Sequence, residues 1–171
     1  MDAPFLADFR KTMAEAIDPL LAHSDADAAW PPAPGQWSSK EIIGHLIDSA
    51  ANNHARFVRG QLKDDLVFDG YDQAKWVELQ RYNERPWRDL VALWQAYNLH
   101  LASVMETADG NAVARPRATH NLDRIAMTPV RADQPGTLEH LMRDYVAHLK
   151  HHLRQVFDNL SRVSDQRDRA K

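Results

Sequence analysis

The chain has 171 residues, of which 44% are apolar, so it has the size of one domain and enough apolar residues for a sizeable core. Its formal net charge is −3 and it contains no cysteine. These totals argue against a nucleic-acid partner, and they exclude disulfides, thiolate metal ligands and a cysteine nucleophile, which leaves histidine and carboxylate side chains as metal ligands.

The opening segment, MDAPFLADFRKTM, places charged residues among its apolar ones and lacks the apolar centre of a signal peptide. No run of 18 apolar residues occurs in the sequence, so no membrane-spanning helix is predicted. We therefore expect a soluble, cytoplasmic protein without a membrane partner.

Two helices are predicted in the first third of the chain. Apolar residues at spacings of three and four predict the first over residues 5–21, which Pro19 would kink or end. The segment WPPAPG (30–35) is a rigid connector. Ser38 and Glu41 then match a capping box, and Trp37 and Ile42 a hydrophobic staple, so the second helix is predicted over about residues 39–62.

Two more helices are predicted in the rest of the chain, each after a long connection. Residues 63–85 form an insert with a short helix at 72–81 that folds over the bundle. The third helix follows Pro86 and ends near Thr107, before Asp109 and Gly110. Residues 108–136 form a crossover that could hold a small hairpin, and the fourth helix runs to about Leu160. We predict an all-α, antiparallel four-helix bundle as a single domain (1–160) with a polar C-terminal tail (161–171).

Three of the nine histidines fall on the predicted fourth helix within five positions. At about 100° per residue, His152 lies inside the apolar arc and His148 at its edge, whereas His151 faces solvent. His148 and His152 are thus an i, i+4 pair, a spacing at which two imidazoles can bind one ion. Alone, this pair is a weak indication of a metal site.

The predicted second helix offers a third histidine. His45 lies at the border of its apolar arc, in a polar stripe with Glu41, Asp48, Ser49 and Asn52. This stripe is either a solvated face or one side of a site shared with the fourth helix.

Two segments resemble the DinB-like superfamily of four-helix-bundle proteins, which includes thiol-S-transferases and metal-dependent hydrolases. WSSKEIIGHLIDS (37–49) is similar to the family's W-S-x-x-E-x-x-x-H-L motif, and YVAHLKHHL (145–153) to its closing H-x-x-x-H helix. YDQAKW (71–76) resembles an aromatic insert of some members. The resemblance implies that His45, His148 and His152 bind one divalent metal ion, commonly zinc or nickel, and it favours a homodimer.

Three histidine ligands leave a coordination position open, as in catalytic metal sites. Following the resemblance, we expect a low-molecular-weight thiol to bind the metal as a thiolate and attack an electrophilic small-molecule substrate. Two alternatives remain: hydrolysis of an amide or ester by metal-bound hydroxide, and a non-catalytic, metal-stabilised dimerisation module. Asp48, Glu41 and Asp144 are candidate general bases or hydrogen-bond partners of the imidazoles. Asn52 and Tyr145 are candidate substrate-binding residues.

Other residues give weaker signals. His54 and His100 are predicted to pack in the core or at an interface rather than to bind metal. The crossover arginines either bind an anionic substrate or belong to a solvated loop; they are Arg115, Arg117, Arg124 and Arg131.

Overall fold

The computed structural model describes the backbone of residues 1–169 and the side chains of residues 1–163. This part of the chain is helical and contains no named strand. The helices are α1 (Ala3–Leu21), α2 (Asp25–Ala29), α3 (Ser39–Leu62), α4 (Gln73–Gln80), α5 (Trp87–Thr107), α6 (Gly110–Ala114), α7 (Leu122–Ile125) and α8 (Leu138–Arg169), with a 3₁₀ turn at Tyr82–Glu84. No helix in the described residues is long and apolar enough to cross a membrane.

The four long helices α1, α3, α5 and α8 pack into a four-helix bundle, which confirms the predicted fold class. Helix α3 has the predicted bounds, and Pro19 is accommodated in the last turn of α1. Helix α8 continues beyond the predicted end at Leu160, and Val163 is buried because the apolar spacing of the helix continues. The predicted tail therefore begins as helix, and its side chains from residue 164 onward lie outside the described residues.

Two neighbouring helix pairs run antiparallel. Near the C-terminal end of α8, Asn159 donates from Nδ2 to the carbonyl of Trp37, just before α3 begins, at 3.3 Å. At the other antiparallel pair, the indole Nε1 of Trp87, at the start of α5, donates to the carbonyl of Leu20 at the end of α1, at 2.9 Å.

The other two neighbouring pairs run parallel. Arg143 near the start of α8 forms an ion pair with Asp2 at the start of α1. At the far ends of α3 and α5, the backbone N–H of Asp109 donates to Gln61 Oε1 at 3.2 Å. The order of the bundle is thus up-down-down-up, so the antiparallel arrangement that we predicted holds for two of the four neighbouring pairs.

The parallel course of α3 and α5 explains the length of the connection between them. Helix α3 is about 36 Å long, so residues 63–86 must return along its whole length before α5 can start. Helix α4 lies in this return segment, as predicted, and Asp72 caps its first turn by accepting from the N–H of Lys75. The return segment therefore covers one side of α3.

The crossover between α5 and α8 contains two short helices rather than the hairpin considered from the sequence. Its antiparallel pairing is a single bridge between Arg117 and Gly136, and a second, parallel bridge joins Leu66 to His120. Arg117 is buried and donates to the carbonyl of Gly60 at 2.8 Å, so this arginine fixes the crossover to α3.

Candidate metal centre

His45 is fully buried near the start of α3. The position of this helix is fixed by its capping box: Glu41 N–H donates to Ser38 Oγ at 3.2 Å, and Ser38 N–H donates to Glu41 Oε2 at 2.8 Å. The ring of Trp37 lies 5.4 Å from the His45 ring, measured between centroids. The local capping signals therefore place the imidazole at a defined point on the inner face of the bundle.

His148 and His152 meet His45 from α8. The Nε2 atoms of His45 and His148 are 3.2 Å apart, and the ring of His152 lies 4.7 Å from that of His45 and 4.5 Å from that of His148. One candidate ligand atom of each residue lies within 4.8 Å of the other two. Two nitrogens bound to zinc at ~2.1 Å with tetrahedral geometry would be ~3.4 Å apart. The three imidazoles therefore fit one divalent ion with little rearrangement.

The surroundings keep these imidazoles neutral. Burial, with a smaller contribution from His152, lowers the pKa of His45 to about 4. Burial and the neighbouring histidines lower the pKa of His148 to about 3, and burial also lowers the pKa of His152. A neutral imidazole has the free lone pair that a metal needs, so the site provides three ready donors at neutral pH.

Gln155, which was not among the residues predicted from the sequence, orients His152. Its Oε1 lies 2.7 Å from His152 Nδ1, which leaves Nε2 of the same ring free for a ligand role. Gln155 also lies 3.2 Å from His151 Nε2 through its own Nε2. It follows His152 by three positions on the same helix, so helical spacing could have identified it.

None of the three candidate carboxylates forms a hydrogen bond with an imidazole among the described residues. Glu41 accepts from Ser38 N–H in the capping box. Asp144 accepts from the N–H groups of Met127 and Thr128, at 2.9 and 2.6 Å. The Nδ1 atoms of His45 and His148 are buried without a hydrogen-bond partner in this part of the chain. The carboxylates lie on the expected face, but backbone donors nearby already bind two of them.

Asp48 is held by the return segment. Gln80 Nε2 donates to Asp48 Oδ1 at 2.6 Å, and the Tyr82 hydroxyl donates to the same oxygen at 2.7 Å. Burial raises the pKa of Asp48, although both hydrogen bonds oppose this effect. The ring of Tyr82 rests directly on Gly44, where a Cβ would overlap it. Asp48 therefore links α3 to the return segment, one turn away from His45.

A pocket of about 400 Å³ opens beside His148 and His152. Its other lining residues come from α3, the return segment, the crossover and α8; they are Ser49, Asn53, Arg56, Gly70, Tyr71, Gln73, Arg124, Ile125, Ala126, Met127, Leu141, Asp144, Tyr145 and His151. A second pocket, of about 560 Å³, reaches His152 from the side of Trp37 and Gln155. The candidate metal centre is thus accessible to a small molecule.

The two predicted substrate-binding residues differ in position. Tyr145 lines the first pocket, although its hydroxyl donates to Asn98 Oδ1 in the core. The side chain of Asn52 instead donates to the carbonyl of Asp48 at 2.9 Å, and the pocket is lined by its neighbour Asn53. The α3 residues that line the pocket follow His45 at four, eight and eleven positions, a helical register of which only Ser49 was predicted from the sequence.

Four of the other histidines make their contacts elsewhere. His54 on α3 and His100 on α5 contact each other, with their Nε2 atoms 3.3 Å apart. His120 and His140 interact with the carbonyls of Gln134 and Thr128 through their Nε2 atoms. His151 is exposed, as the helical spacing predicts, but its ring lies 5.1 Å from that of His152, measured between centroids, and it lines the first pocket.

A helical bundle with three converging, neutral imidazoles beside a pocket defines a protein able to bind a metal ion. The family model of the DinB superfamily matches residues 6–156, so the chain belongs to this superfamily.

Similar proteins include candidate metal-dependent hydrolases. YfiT of Bacillus subtilis, which carries this description, is 24% identical over 133 residues, covering 78% of this chain and 69% of YfiT. A relative from Oceanobacillus iheyensis with the same description is 35% identical over 49 residues, so this match spans only 29% of the present chain and 28% of the relative. The solved structure of YfiT, described as an unusual four-helix bundle, matches with a TM-score of 0.68 at 19% identity, covering 96% of this chain and 85% of YfiT.

Proposed function

We propose that His45, His148 and His152 hold one divalent metal ion and that the chain is a metal-dependent thiol-S-transferase. The observation that carries the proposal is the convergence of three neutral imidazoles, two with Nε2 atoms 3.2 Å apart, beside a pocket of about 400 Å³. Imidazole donors suit both zinc and nickel, so both are candidates.

The arrangement favours a catalytic over a purely structural ion. Structural zinc sites are closed by four protein ligands, whereas three ligands beside a pocket leave room for a substrate. When bound, a divalent ion supplies Lewis acidity that lowers the pKa of a coordinated thiol or water. The chain itself supplies the neutral ligands, the orientation of His152 through Gln155, and the walls of the pocket.

The state of the carboxylates favours thiol transfer over hydrolysis. Hydrolysis benefits from a general base beside the attacking water, but Glu41, Asp48 and Asp144 already accept hydrogen bonds from other groups. A thiol can lose its proton to solvent once its pKa is lowered. Its sulfur then forms a bond to an electrophilic carbon, and the leaving group departs with the electron pair of the bond that breaks.

Hydrolysis of an ester or amide is the second candidate, and the descriptions of both relatives favour it. Asp48 is its best base, because its Oδ2 is buried without a hydrogen-bond partner among the described residues. We propose cytoplasmic action on small molecules for either reaction.

Metal content tests the ligand assignment. We expect the purified wild-type chain to bind about one equivalent of zinc or nickel after dialysis, and His45→Ala/His148→Ala to bind none. His151→Ala is the matched control, because it removes an exposed histidine of the same helix. Equal metal content in the wild type and the double variant would refute the proposed site.

Two probe reactions distinguish the candidate activities. The metal-loaded chain is mixed either with glutathione, cysteine or another small thiol and 1-chloro-2,4-dinitrobenzene, or with 4-nitrophenyl acetate alone. We expect metal-dependent loss of thiol that His148→Ala abolishes while the helical circular dichroism persists. Ester cleavage with the same dependence and no loss of thiol would establish hydrolysis instead. If a chelator lowers Tm but neither reaction occurs, the third hypothesis, a metal-stabilised dimerisation module, replaces both.

The homodimer is also a proposal. Large apolar side chains are exposed on the single chain, including Leu62 at 83% and Leu79 at 69%, and a dimer could cover them. Sedimentation velocity over a range of concentrations tests this, and a monomer at every concentration would refute it.

A further inference from the structure

Arg56 is a buried cation in the wall of the pocket beside the histidines. Only 7% of its surface is exposed, although arginine is rarely buried without a paired charge. It follows His45 on α3 by eleven residues, which is three helical turns and a rotation of only about 20°. The guanidinium group and the imidazoles therefore face the same space, and the pocket is lined by Arg56 at one end and by His148 and His152 at the other.

The hydrogen bonds of Arg56 in the chain do not neutralise its charge. It donates to the carbonyl of Asp69 at 2.9 Å and, more weakly, to Asn53 Oδ1 at 3.5 Å, and both acceptors are neutral. A guanidinium group has five N–H donors and stays protonated in proteins. No ion pair in the part of the chain with described side chains involves Arg56; the carboxylate of Asp69 acts on it only from a longer distance. Burying a cation without such a partner is costly, so an anionic ligand would relieve this cost.

The other charges around the pocket leave this role to Arg56. The one lining carboxylate, that of Asp144, already accepts hydrogen bonds from two backbone N–H groups. Arg124 adds a second positive charge at the pocket, but its side chain is 74% exposed, so solvent screens it. Arg56 is the buried one of the two cations, and its charge acts at lower dielectric.

We propose that Arg56 binds an anionic group of the substrate, and that the substrate class of this site is a small carboxylate-bearing molecule. The inference rests on the proposed function only for the reaction at the histidines. Binding of the anion by Arg56 does not depend on that reaction. A carboxylate fits because its two oxygens match the planar fork of a guanidinium group. Arg56 lies ~16 Å from His45 along the helix, and its side chain leans back towards the start of α3, so a molecule that fits the pocket can reach both ends.

Binding of two probes that differ only in charge tests the inference. Phenylacetate and phenylacetamide have nearly the same size and shape, and their dissociation constants are measured by titration calorimetry on the metal-free wild type. We expect phenylacetate to bind about tenfold more tightly, as one charge-assisted contact would give. Metal-free protein separates the test from the proposed function, because the anion site needs no metal.

Three variants test whether Arg56 causes the preference for phenylacetate. Arg56→Gln is expected to bind both probes equally, and Arg56→Lys to keep part of the preference because it keeps a charge without the fork. Arg59→Gln is the matched control: it removes an exposed arginine of the same helix and should keep the full preference. If circular dichroism shows that Arg56→Gln does not fold, the inference is tested by the ratio of the two dissociation constants in the wild type and in Arg56→Lys.

Equal binding of the two probes to the wild type would overturn the inference, and so would a preference that Arg56→Gln retains. Failure of the proposed function looks different, because it appears as absent metal binding or absent turnover while the carboxylate preference persists.

Discussion

Gly44→Ala tests how tightly the return segment is packed against α3, the helix that carries His45. Gly44 precedes His45, and the ring of Tyr82 lies so close to it that an added Cβ would overlap the ring. Tyr82 is only 5% exposed, so its ring cannot move aside freely. Overpacking of this kind costs ~1–3 kcal/mol, whereas alanine in a helix gains about 1 kcal/mol over glycine. Because the added Cβ would lie only 2.1 Å from a ring carbon of Tyr82, we take the upper part of the overpacking range, ~2–3 kcal/mol, and expect a net loss of about 1–2 kcal/mol.

Urea unfolding followed by circular dichroism measures this loss, and the expected change in Tm is about 2–8 °C. Gly110→Ala is the matched control: it also lies in a helix, but nothing lies within 4 Å of the position of its Cβ. That variant should be as stable as the wild type or slightly more stable.

A double-mutant cycle isolates the cause. If the overlap with the ring is responsible, Gly44→Ala should cost nothing in a Tyr82→Ala background, because the ring is absent there. An equal cost in both backgrounds, or no cost in the wild type, would refute the packing that we describe.

Three further predictions concern the site. A chelator should lower Tm of the metal-loaded wild type by about 5–10 °C, because a ligand at 100 times its Kd adds about 2.7 kcal/mol to the free energy of unfolding. It should not change Tm of His45→Ala/His148→Ala, and differential scanning calorimetry measures both proteins. In metal-free protein, the free energy of unfolding should fall as pH drops from 6.5 towards 4. Burial lowers the pKa of His45 to about 4 and that of His148 to about 3 in the folded chain, so over this pH range the two histidines take up protons mainly in the unfolded chain. His148→Ala should reduce this slope in urea titrations. Tyr82→Phe should lose about 1–3 kcal/mol in the same titrations, because Asp48 loses a buried donor.

The features that the sequence predicted correctly are set by short-range interactions. The bounds of α3 follow from Ser38 and Glu41, which satisfy the first turn of the helix whatever packs around it. The separation of His151 from His148 and His152 likewise follows from 3.6 residues per turn and one apolar face. The convergence of His45 with the α8 pair was suggested by the spacing and made a firm expectation only by the family resemblance.

The features that the sequence did not predict depend on which hydrogen-bond donor each carboxylate meets in the folded chain. Glu41, Asp48 and Asp144 lie at helical spacings that could bring them to an imidazole, but each found another partner. Three of the competing donors are backbone N–H groups, two of them in the crossover, and helical spacing cannot reveal a donor on another segment. Gln155 and Arg56, in contrast, lie on the same helical faces as the three histidines and could have been found by following those faces further.

The parallel direction of α3 and α5 explains several of these contacts. Because α3 and α5 run parallel, the chain between them must travel back along α3, past the face that carries His45. This return brings the carbonyl of Asp69 to Arg56 and the hydroxyl of Tyr82 to Asp48, so one segment contacts a buried cation and a buried carboxylate of α3. In an up-down-up-down bundle a short loop would suffice, and that face would lack this cover. The long insert is therefore part of the wall of the pocket, which it lines with Gly70, Tyr71 and Gln73.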